Sequence, residues 1–279
     1  MACIDGSRNA RAVCDYAAWA AKRMVAPLEF LHVLGKSEYP VLADFSGNIG
    51  LGSREHLLQE LAELDEKRGR LALEQGRLML EGARARAIAT GIEPLIVRQR
   101  HGELVDTLQE LENDIRLLVI GRQGEQSASL GGHIGSQLEN VVRTLHRPIL
   151  VVPADYREPQ RILIAFDGSA TMRQAVELVT SSPLFRSLAC HVVIVGADRD
   201  ERRAQLEWAR ATLASAGHAV TASLRSGAVE DELDAYVFEH AINLTVMGAY
   251  GHSRIREFLV GSTTTHLLRK STVPLLLLR

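Results

Sequence analysis

A set of short motifs occurs twice in this 279-residue chain, in the same order each time. An Asp-Gly-Ser triplet begins at Asp5 and again at Asp167, and a Gly-x-x-Gly pair begins at Gly121 and again at Gly248. A Gly-Ser pair and a proline followed by an apolar run complete each set. Four landmarks in one order indicate an internal duplication. Because each copy spans about 120 residues or more, the size of a domain, the duplication predicts two domains rather than a solenoid.

Each copy alternates short apolar runs with helical patterns. The predicted strands lie at 2–4, 28–34, 92–98, 116–120 and 149–152 in the first copy, and at 162–166, 191–195, 219–224, 244–247 and 275–278 in the second. In the first copy, Ser7 is predicted to cap the first helix, and the other helices begin at Ser53, Leu104 and Ser136. In the second copy, the predicted helices begin near Ser169, Asp200, Val229 and Ser262. Such alternation, with right-handed crossovers, predicts parallel sheets covered on both faces. The predicted fold class is therefore α/β, with two doubly wound, parallel five-stranded sheets.

A polar stretch with two prolines, residues 153–160, separates the copies and is interpreted as a linker. We place the boundary near Asp155, which gives domains at 1–154 and 160–279. The first copy has 116 positions from Asp5 to Gly121, against 81 from Asp167 to Gly248, so it carries 35 extra residues. They fall after the second predicted strand, within an insertion at 35–89.

The insertion predicts a loop at 35–52 and then a long helix at 53–89. Leucines follow heptad-like spacing along this helix, at Leu57, Leu61, Leu64, Leu71 and Leu78. Arg68 and Gln75 interrupt the stripe, so a free-standing coiled coil is not expected. One interpretation, which we favour, is a helix packed on its own sheet. The other is a lid or partner surface, and the lid interpretation is kept for the loop.

Composition and charge narrow the function classes. Hydrophobic residues make up 46% and charged residues 24%, as in ordinary soluble globular proteins. With 32 basic and 34 acidic residues, broad binding to nucleic acid or to an anionic membrane is not expected. We expect no signal peptide and no membrane span, since no apolar run approaches the ~20 residues required. Three cysteines without a C-x-x-C pair fit a reduced, cytoplasmic protein, and the ten histidines lack zinc-like spacing, so no metal site is predicted.

Residues 248–263 read as the end of a strand, a glycine-spaced loop and the start of a helix. Gly248, Gly251 and Gly261 with Ser262 follow the pattern G-x2-G-x9-G-[S/T]. Glycines permit positive φ and let the backbone approach a ligand closely. The segment Gly261–Thr263 offers N–H groups and hydroxyls at a helix N-terminus, which suits an anion. The alternative is structural, because glycine also ends strands and Ser or Thr also caps helices.

This spacing, with Asp167 at the end of an earlier strand, resembles the nucleotide-binding signature of the universal stress protein family. Because the pattern occurs twice, the resemblance covers the whole chain. It implies tandem adenine-nucleotide α-hydrolase-like domains and a bound ATP or AMP, with or without Mg²⁺. The binding residues implied by the resemblance are Asp167, Val195, Gly248, Gly251, Gly261, Ser262 and Thr263.

The resemblance also implies a role for each position. Asp167 would accept hydrogen bonds from the ribose or adenine end of the nucleotide, and Val195 would contact adenine through its backbone. The glycines would line ribose and phosphates, and the residues from Gly261 to Thr263 would donate hydrogen bonds to phosphate. Two alternatives stay open, since Asp167 could be a helix cap and Val195 a plain core residue.

The first copy departs from the pattern. Ten residues separate Gly124 from Gly135, where the second copy has nine, and Glu125 adds negative charge beside the expected phosphate. We therefore expect the second copy to hold the site. Only four residues precede Asp5, so either the first strand is short or the true start lies upstream.

No motif names a catalytic residue. The chain has no G-x-x-x-x-G-K-[S/T] and no G-x-S-x-G, and no carboxylate pair or His-Cys set stands out. The sequence thus predicts a stress-response regulatory protein that binds a nucleotide with little or no hydrolysis. A slow ATP-hydrolysing enzyme and a scaffold with empty pockets remain as alternatives.

The last strand of each copy is strongly apolar. Residues 149–152 and 275–278 would invite association if left bare at a sheet edge. We predict that they pair the two copies as a pseudo-dimer within one chain. A further homodimer is left open.

Overall fold

The computed structural model describes residues 1–35, 51–124, 136–249 and 262–279. Most of the loop predicted at 35–52 lies outside these residues, as do most of the two glycine-spaced loops. The described part contains ten strands and eight α-helices, with short 3-10 turns between some of them.

The element bounds follow the predicted alternation. The strands are β1 Ala2–Cys3, β2 Leu28–Leu34, β3 Leu95–His101, β4 Leu118–Gly121, β5 Ile149–Val152, β6 Arg161–Ala165, β7 Ala189–Val195, β8 Val220–Arg225, β9 Leu244–Gly248 and β10 Leu275–Leu278. The helices are α1 Ala10–Met24, α2 Leu51–Ala89, α3 Leu104–Glu110, α4 Ser136–Thr144, α5 Ala170–Ser181, α6 Asp200–Ser215, α7 Val229–Glu239 and α8 Ser262–Lys270.

The strands form a single sheet in the order β3-β2-β1-β4-β5-β10-β9-β6-β7-β8. All pairs within each half are parallel, as predicted for a doubly wound α/β fold. The exception is the central pair of β5 and β10, which is antiparallel, with Leu150 opposite Leu276. The expected two five-stranded sheets are therefore the halves of one ten-stranded sheet, joined through the last strand of each copy.

Two apolar cores cover the two faces of this sheet, and each extends through both halves. Leu150 and Leu276 belong to one core, with residues of α1, α5 and α6. Their neighbours Ile149 and Leu275 belong to the other core, with residues of α3, α4, α7 and α8. This alternation follows from the two-residue period of a strand. The four side chains are at most 2% exposed, so the joint between the halves is as buried as their interiors.

Polar contacts add to this joint. The guanidinium of Arg23, on α1, donates to the carbonyl oxygen of Leu184 at 2.6 Å. The ring of Tyr16, also on α1, meets the ring of Tyr156 edge-on at 4.7 Å, and its hydroxyl accepts from the N–H of Arg157 at 3.2 Å. The linker at 153–160 is thus held against the first half.

Several predicted boundaries are wrong by two or three residues, and two of them have a clear local reason. Ser7 does not cap α1, because its hydroxyl donates to Asp5 Oδ1 at 2.6 Å and the helix starts at Ala10, after Asn9 at the N-cap position. Strand β3 begins at Leu95 rather than at residue 92, directly after Pro94, which has no N–H to contribute to a ladder.

Helix α2 packs on β2, β3 and α1, as the favoured interpretation predicted, but not through its leucine stripe. The face toward the sheet is built mostly from small residues, with Gly69, Gly76, Ala83 and Ala87 buried beside Leu80. A Cβ built on Gly76 would lie 2.6 Å from Cδ2 of the buried His32. Glycine at this position lets the helix axis approach the sheet closely.

We expect Gly76→Ala to lower the free energy of unfolding, because overpacking of this kind costs about 1–3 kcal/mol. The matched control is Gly82→Ala on the same helix, where a new Cβ would meet nothing within 4 Å. It should stabilise the protein by about 0.5–1 kcal/mol through helix propensity alone. Chemical denaturation of both variants measures the difference, and equal stability would contradict the close packing at residue 76.

Candidate functional site

Three predicted residues come together at one edge of the sheet. Asp167, Val195 and Gly248 lie at or just beyond the carboxyl ends of β6, β7 and β9. These strands are neighbours in the order β9-β6-β7. The chain passes from β6 through β7 to β8 and then returns to β9 on the other side of β6, so the strand order reverses between β9 and β6. In open parallel sheets, ligands bind in the crevice at such a reversal. The arrangement therefore provides a candidate site at the carboxyl edge of the second half.

The remaining predicted residues are described only in part. Gly251 and Gly261 lie outside the described residues. Ser262 is the first residue of α8, and Thr263 follows it in the first turn. Helix α8 therefore starts where the sequence predicted. Its first-turn N–H groups lack partners within the helix, as at any helix N-terminus.

The turn after β6 is fixed by its own side chains. Asp167 Oδ1 accepts from the N–H of Ser169 at 2.9 Å, and Ser169 Oγ accepts from the N–H of Met172 at 3.2 Å. Ser169 is thus the N-cap of α5, and the cap interpretation of Asp167 is wrong. Gly168 between them has a φ of +78°, which favours glycine. Asp167 braces this turn and is exposed at the edge of the sheet.

Helix α6 brings two polar side chains to the same edge that the sequence reasoning missed. A Cβ on Gly168 would lie 2.5 Å from Gln205 Oε1, and one on Gly196 would lie 2.6 Å from the Arg202 guanidinium carbon. Arg202 also donates to the carbonyl oxygen of Ala197 at 2.7 Å. The available signal was their three-residue spacing near the start of α6, which places both on one helix face.

Aromatic packing holds α6 in this position. The ring of Trp208 stacks on that of Phe166 at 5.9 Å between centroids, and Arg173 lies over the indole at 4.7 Å. Phe166 immediately precedes Asp167, so the residue that anchors α6 lies just after the end of β6. Val195, at the end of β7, packs its side chain partly against the core, which leaves its backbone at the edge.

The start of α8 is tied to neighbouring elements. Thr264 Oγ1 lies 3.3 Å from the carbonyl oxygen of Gly248, which connects the helix to the end of β9. Thr263 Oγ1 donates to Glu230 Oε1 at 2.8 Å, and this hydrogen bond is the main cause that holds the pKa of Glu230 below its usual value. The hydroxyl of Thr263 has a single proton and donates it to this carboxylate, so it cannot also donate to a bound anion. An anion at α8 would therefore meet backbone N–H groups.

At the matching edge of the first half, side-chain contacts join two loops. Asn9 Nδ2 donates to the carbonyl oxygen of Gln123 at 2.8 Å, and Arg8 donates to the Gln123 side chain at 2.8 Å. A Cβ on Gly121 would lie 2.9 Å from Cβ of the buried Asn9. These contacts bind the loop after β4 to the loop after β1.

The second half lacks the side chains that make these two contacts. With Asp5 matched to Asp167, the residues that correspond to Arg8 and Asn9 are Ala170 and Thr171. The alanine side chain has no hydrogen-bond donor, and the threonine side chain is shorter than that of asparagine and has no amide. The two edges therefore differ in sequence as well as in contacts.

The sequence matches the model of the universal stress protein family over residues 1–153 and 192–279. The chain belongs to this family. A universal stress protein of Synechocystis sp. is 33% identical over 283 residues, which cover 100% of this chain and 99% of that protein. The second segment that matches the family model includes Val195 and the residues from Gly248 to Thr263, whereas Asp167 lies between the two matched segments.

Solved structures agree with this assignment at the level of the fold. The crystal structure of a universal stress protein from Archaeoglobus fulgidus superposes with a TM-score of 0.74 at 19% identity, covering 100% of this chain and 98% of that one. A Pseudomonas aeruginosa protein described as a universal stress protein gives 0.62 at 14% identity, covering 99% and 91%. The universal stress protein fold thus extends over both halves.

Two further properties of this universal stress protein concern the described residues alone. No helix there is both long and apolar enough to cross a membrane. No group of three or more His, Cys, Asp or Glu side chains in those ranges is placed to hold a metal ion.

We expect Ser169→Ala to lower the free energy of unfolding by about 1 kcal/mol, because it removes the side-chain cap of α5. The matched control is Ser181→Ala at the other end of the same helix, where the exposed hydroxyl bonds the carbonyl oxygen of Glu177. That change should stay within about 0.5 kcal/mol. Thermal or denaturant unfolding measures both, and equal losses would contradict the capping role.

Proposed function

We propose that this universal stress protein binds one adenine nucleotide, ATP or AMP, at the carboxyl edge of its second half. The nucleotide would serve regulation in a stress response, with little or no hydrolysis. The observation that carries the proposal is the placement of Asp167, Val195 and Gly248 at the carboxyl ends of three adjacent strands, where the strand order reverses. The start of α8 beside Gly248 supports it, since a helix N-terminus suits a phosphate.

Each predicted residue has a role in this proposal. Asp167, held in a fixed turn, would accept hydrogen bonds from the ribose hydroxyls or from adenine. The backbone of Val195 would meet adenine. The implied phosphate and ribose contacts are the backbones of Gly248, Gly251, Gly261, Ser262 and Thr263. Gln205 and Arg202 would border the adenosine end, because they pack against Gly168 and Gly196.

One nucleotide per chain is proposed because the two edges differ. In the first half, Asn9 and Arg8 tie the loop after β4 to the loop after β1 through Gln123. In the second half, Ala170 and Thr171 stand at the corresponding positions and lack the side chains for these contacts. The first copy would then act as a structural partner of the second.

The organisation of the chain supports three related proposals. The two domains are 1–154 and 160–279, and they form an intramolecular pseudo-dimer through the pairing of β5 with β10. The protein works in the cytoplasm, which its three free cysteines support. Burial raises the pKa of both Cys14 and Cys190 to about 12, so these thiols have little reactive thiolate at neutral pH.

The test is calorimetric titration of the full chain with ATP and with AMP, each with and without Mg²⁺. Asp167→Ala should weaken binding by about tenfold or more, because a hydrogen bond to a charged group contributes about 1.5–3 kcal/mol. The matched control is Asp5→Ala, the same change at the same position of the first copy, which should leave affinity unchanged. Two nucleotides per chain, or equal losses in both variants, would contradict the proposal.

Hydrolysis is tested separately by steady-state release of ADP or phosphate. The proposal expects binding without sustained turnover. Many turnovers per chain with Mg²⁺, abolished in Asp167→Ala, would instead identify an ATP-hydrolysing enzyme.

The position of Glu230 gives a second, sharper prediction. Its lowered pKa leaves it negatively charged at neutral pH, beside the first turn of α8. Glu230→Gln keeps an acceptor for Thr263 but removes the charge. We expect it to raise affinity for ATP about fivefold, since a like charge at a few ångströms costs about 1 kcal/mol in a well-solvated site.

The control for this variant is Glu158→Gln, an exposed glutamate of the linker, which should not change affinity. The same titrations measure both variants. Unchanged or weaker ATP binding in Glu230→Gln would mean that the phosphates do not approach α8.

A further inference from the structure

Helices α7 and α8 are joined by two polar contacts on their facing sides. Thr263 Oγ1 donates to Glu230 Oε1 at 2.8 Å, and His266 Nε2 lies 3.2 Å from Asp234 Oδ2. The two residues on α8 are three positions apart and the two on α7 are four apart, so each pair lies on one face of its helix. The contacts are therefore successive links between two helices that run in the same direction. The first link lies at the end of α8 that the phosphates of the proposed nucleotide would approach.

His266 gives this face of α8 a group that titrates near neutral pH. Histidine is the side chain that ordinarily changes its charge between about pH 5 and pH 8. Its side chain is 23% exposed and that of Asp234 is 43% exposed, so solvent screens their ion pair in part. The charge of His266 also reaches Glu230, where it is one of the smaller causes that lower the pKa of that carboxyl. A proton on His266 thus adds a positive charge beside two carboxylates, about one turn from the first link.

The corresponding helices of the first half, α3 and α4, carry different residues at these positions. Val105 takes the place of Glu230, and Asn140 takes that of His266. A valine side chain has no hydrogen-bond acceptor, and the asparagine amide carries no charge. Val105 and Asn140 instead line a cleft of about 320 Å³ between the two helices. The fold therefore does not require the two links, and they occur in the half to which we assign the nucleotide.

We propose, on the basis of the nucleotide site proposed above, that protonation of His266 strengthens the binding of phosphates at the start of α8. The added positive charge attracts the phosphates and offsets the negative charge of Glu230, which opposes them. His266 acts from about one turn inside the helix, so it is an electrostatic and positioning group rather than a ligand of the nucleotide. Affinity is highest where His266 is protonated and falls as rising pH removes the proton.

Other charged groups lie on the elements around His266, but carboxylates, guanidinium groups and ammonium groups ordinarily keep their charge between about pH 5.5 and pH 8. The strands β9 and β10 beneath α8 contain no charged residue. A second histidine, His240, follows α7 at its far end and contacts His191 there. The charged groups on these elements are Glu230 and Asp234 on α7, Arg269 and Lys270 on α8, and Arg279 after β10, which donates to the carbonyl oxygen of Thr144 at 3.3 Å.

Calorimetric titration of the full chain with ATP at about pH 5.5 and about pH 8 tests this effect. The ratio of wild-type affinity to that of His266→Asn should be about threefold higher at the lower pH, because one charge acts at this range in a solvated site. Taking the ratio removes the titration of the nucleotide phosphates, which both proteins share. The matched control is His146→Asn, which removes a histidine of the first half that lies 3.6 Å from Glu112 and should keep the wild-type pH profile.

A fixed charge at the same position separates electrostatics from packing. His266→Lys stays positively charged at both pH values. It should therefore bind ATP more tightly than His266→Asn by a similar factor, about threefold, at both. A role in packing alone would weaken the two variants alike at every pH. Circular dichroism and thermal unfolding show whether each variant is folded.

Failure of this effect and failure of the nucleotide site give different results. A wild type that binds no nucleotide at either pH overturns the proposed site, and the pH effect with it. A wild type that binds, with the same ratio to His266→Asn at both pH values, overturns the pH effect alone. The same holds for a folded His266→Lys variant that binds no more tightly than His266→Asn.

Discussion

The antiparallel pair of β5 and β10 determines how the two copies in this chain are arranged. A five-stranded sheet that ended in bare apolar strands such as Ile149–Val152 would leave N–H and carbonyl groups open to any other strand. Pairing the last strands of both copies satisfies those groups and buries the leucines on both faces. This joint sets the positions of the two carboxyl edges, of the helices that cover the faces of the sheet, and of the linker.

The periodicity of the sequence was sufficient to predict most of the fold. Strands such as β2, β5 and β10 coincide with their predicted ranges, because buried strands are largely apolar runs. Boundaries set by side-chain chemistry were less accessible. Ser7 and Ser169 occupy the same place in matching triplets, yet only Ser169 caps a helix, and the difference depends on which neighbour each hydroxyl meets.

The candidate site could be predicted only where it depends on backbone position. Asp167 and Gly248 lie at strand ends that an apolar pattern reveals, whereas Val195 was chosen from the resemblance to the universal stress protein family. The contribution of α6 could not be predicted in this way, since Arg202 and Gln205 reach the edge through the packing of Trp208 on Phe166. The sequence did indicate the second leucine-rich face of α2, but not which face of that helix would contact the sheet.

The two cores that run uninterrupted across both halves have a consequence for the energetics of the whole chain. Opening either half would expose Leu150 or Leu276 together with its neighbours in the other, so the chain should melt as one cooperative unit. A ligand that binds only the native state adds its stabilisation to the entire unit. A ligand bound at one carboxyl edge would then raise the free energy of unfolding at the far end of the molecule, including the anchored part of α2, without any change in shape.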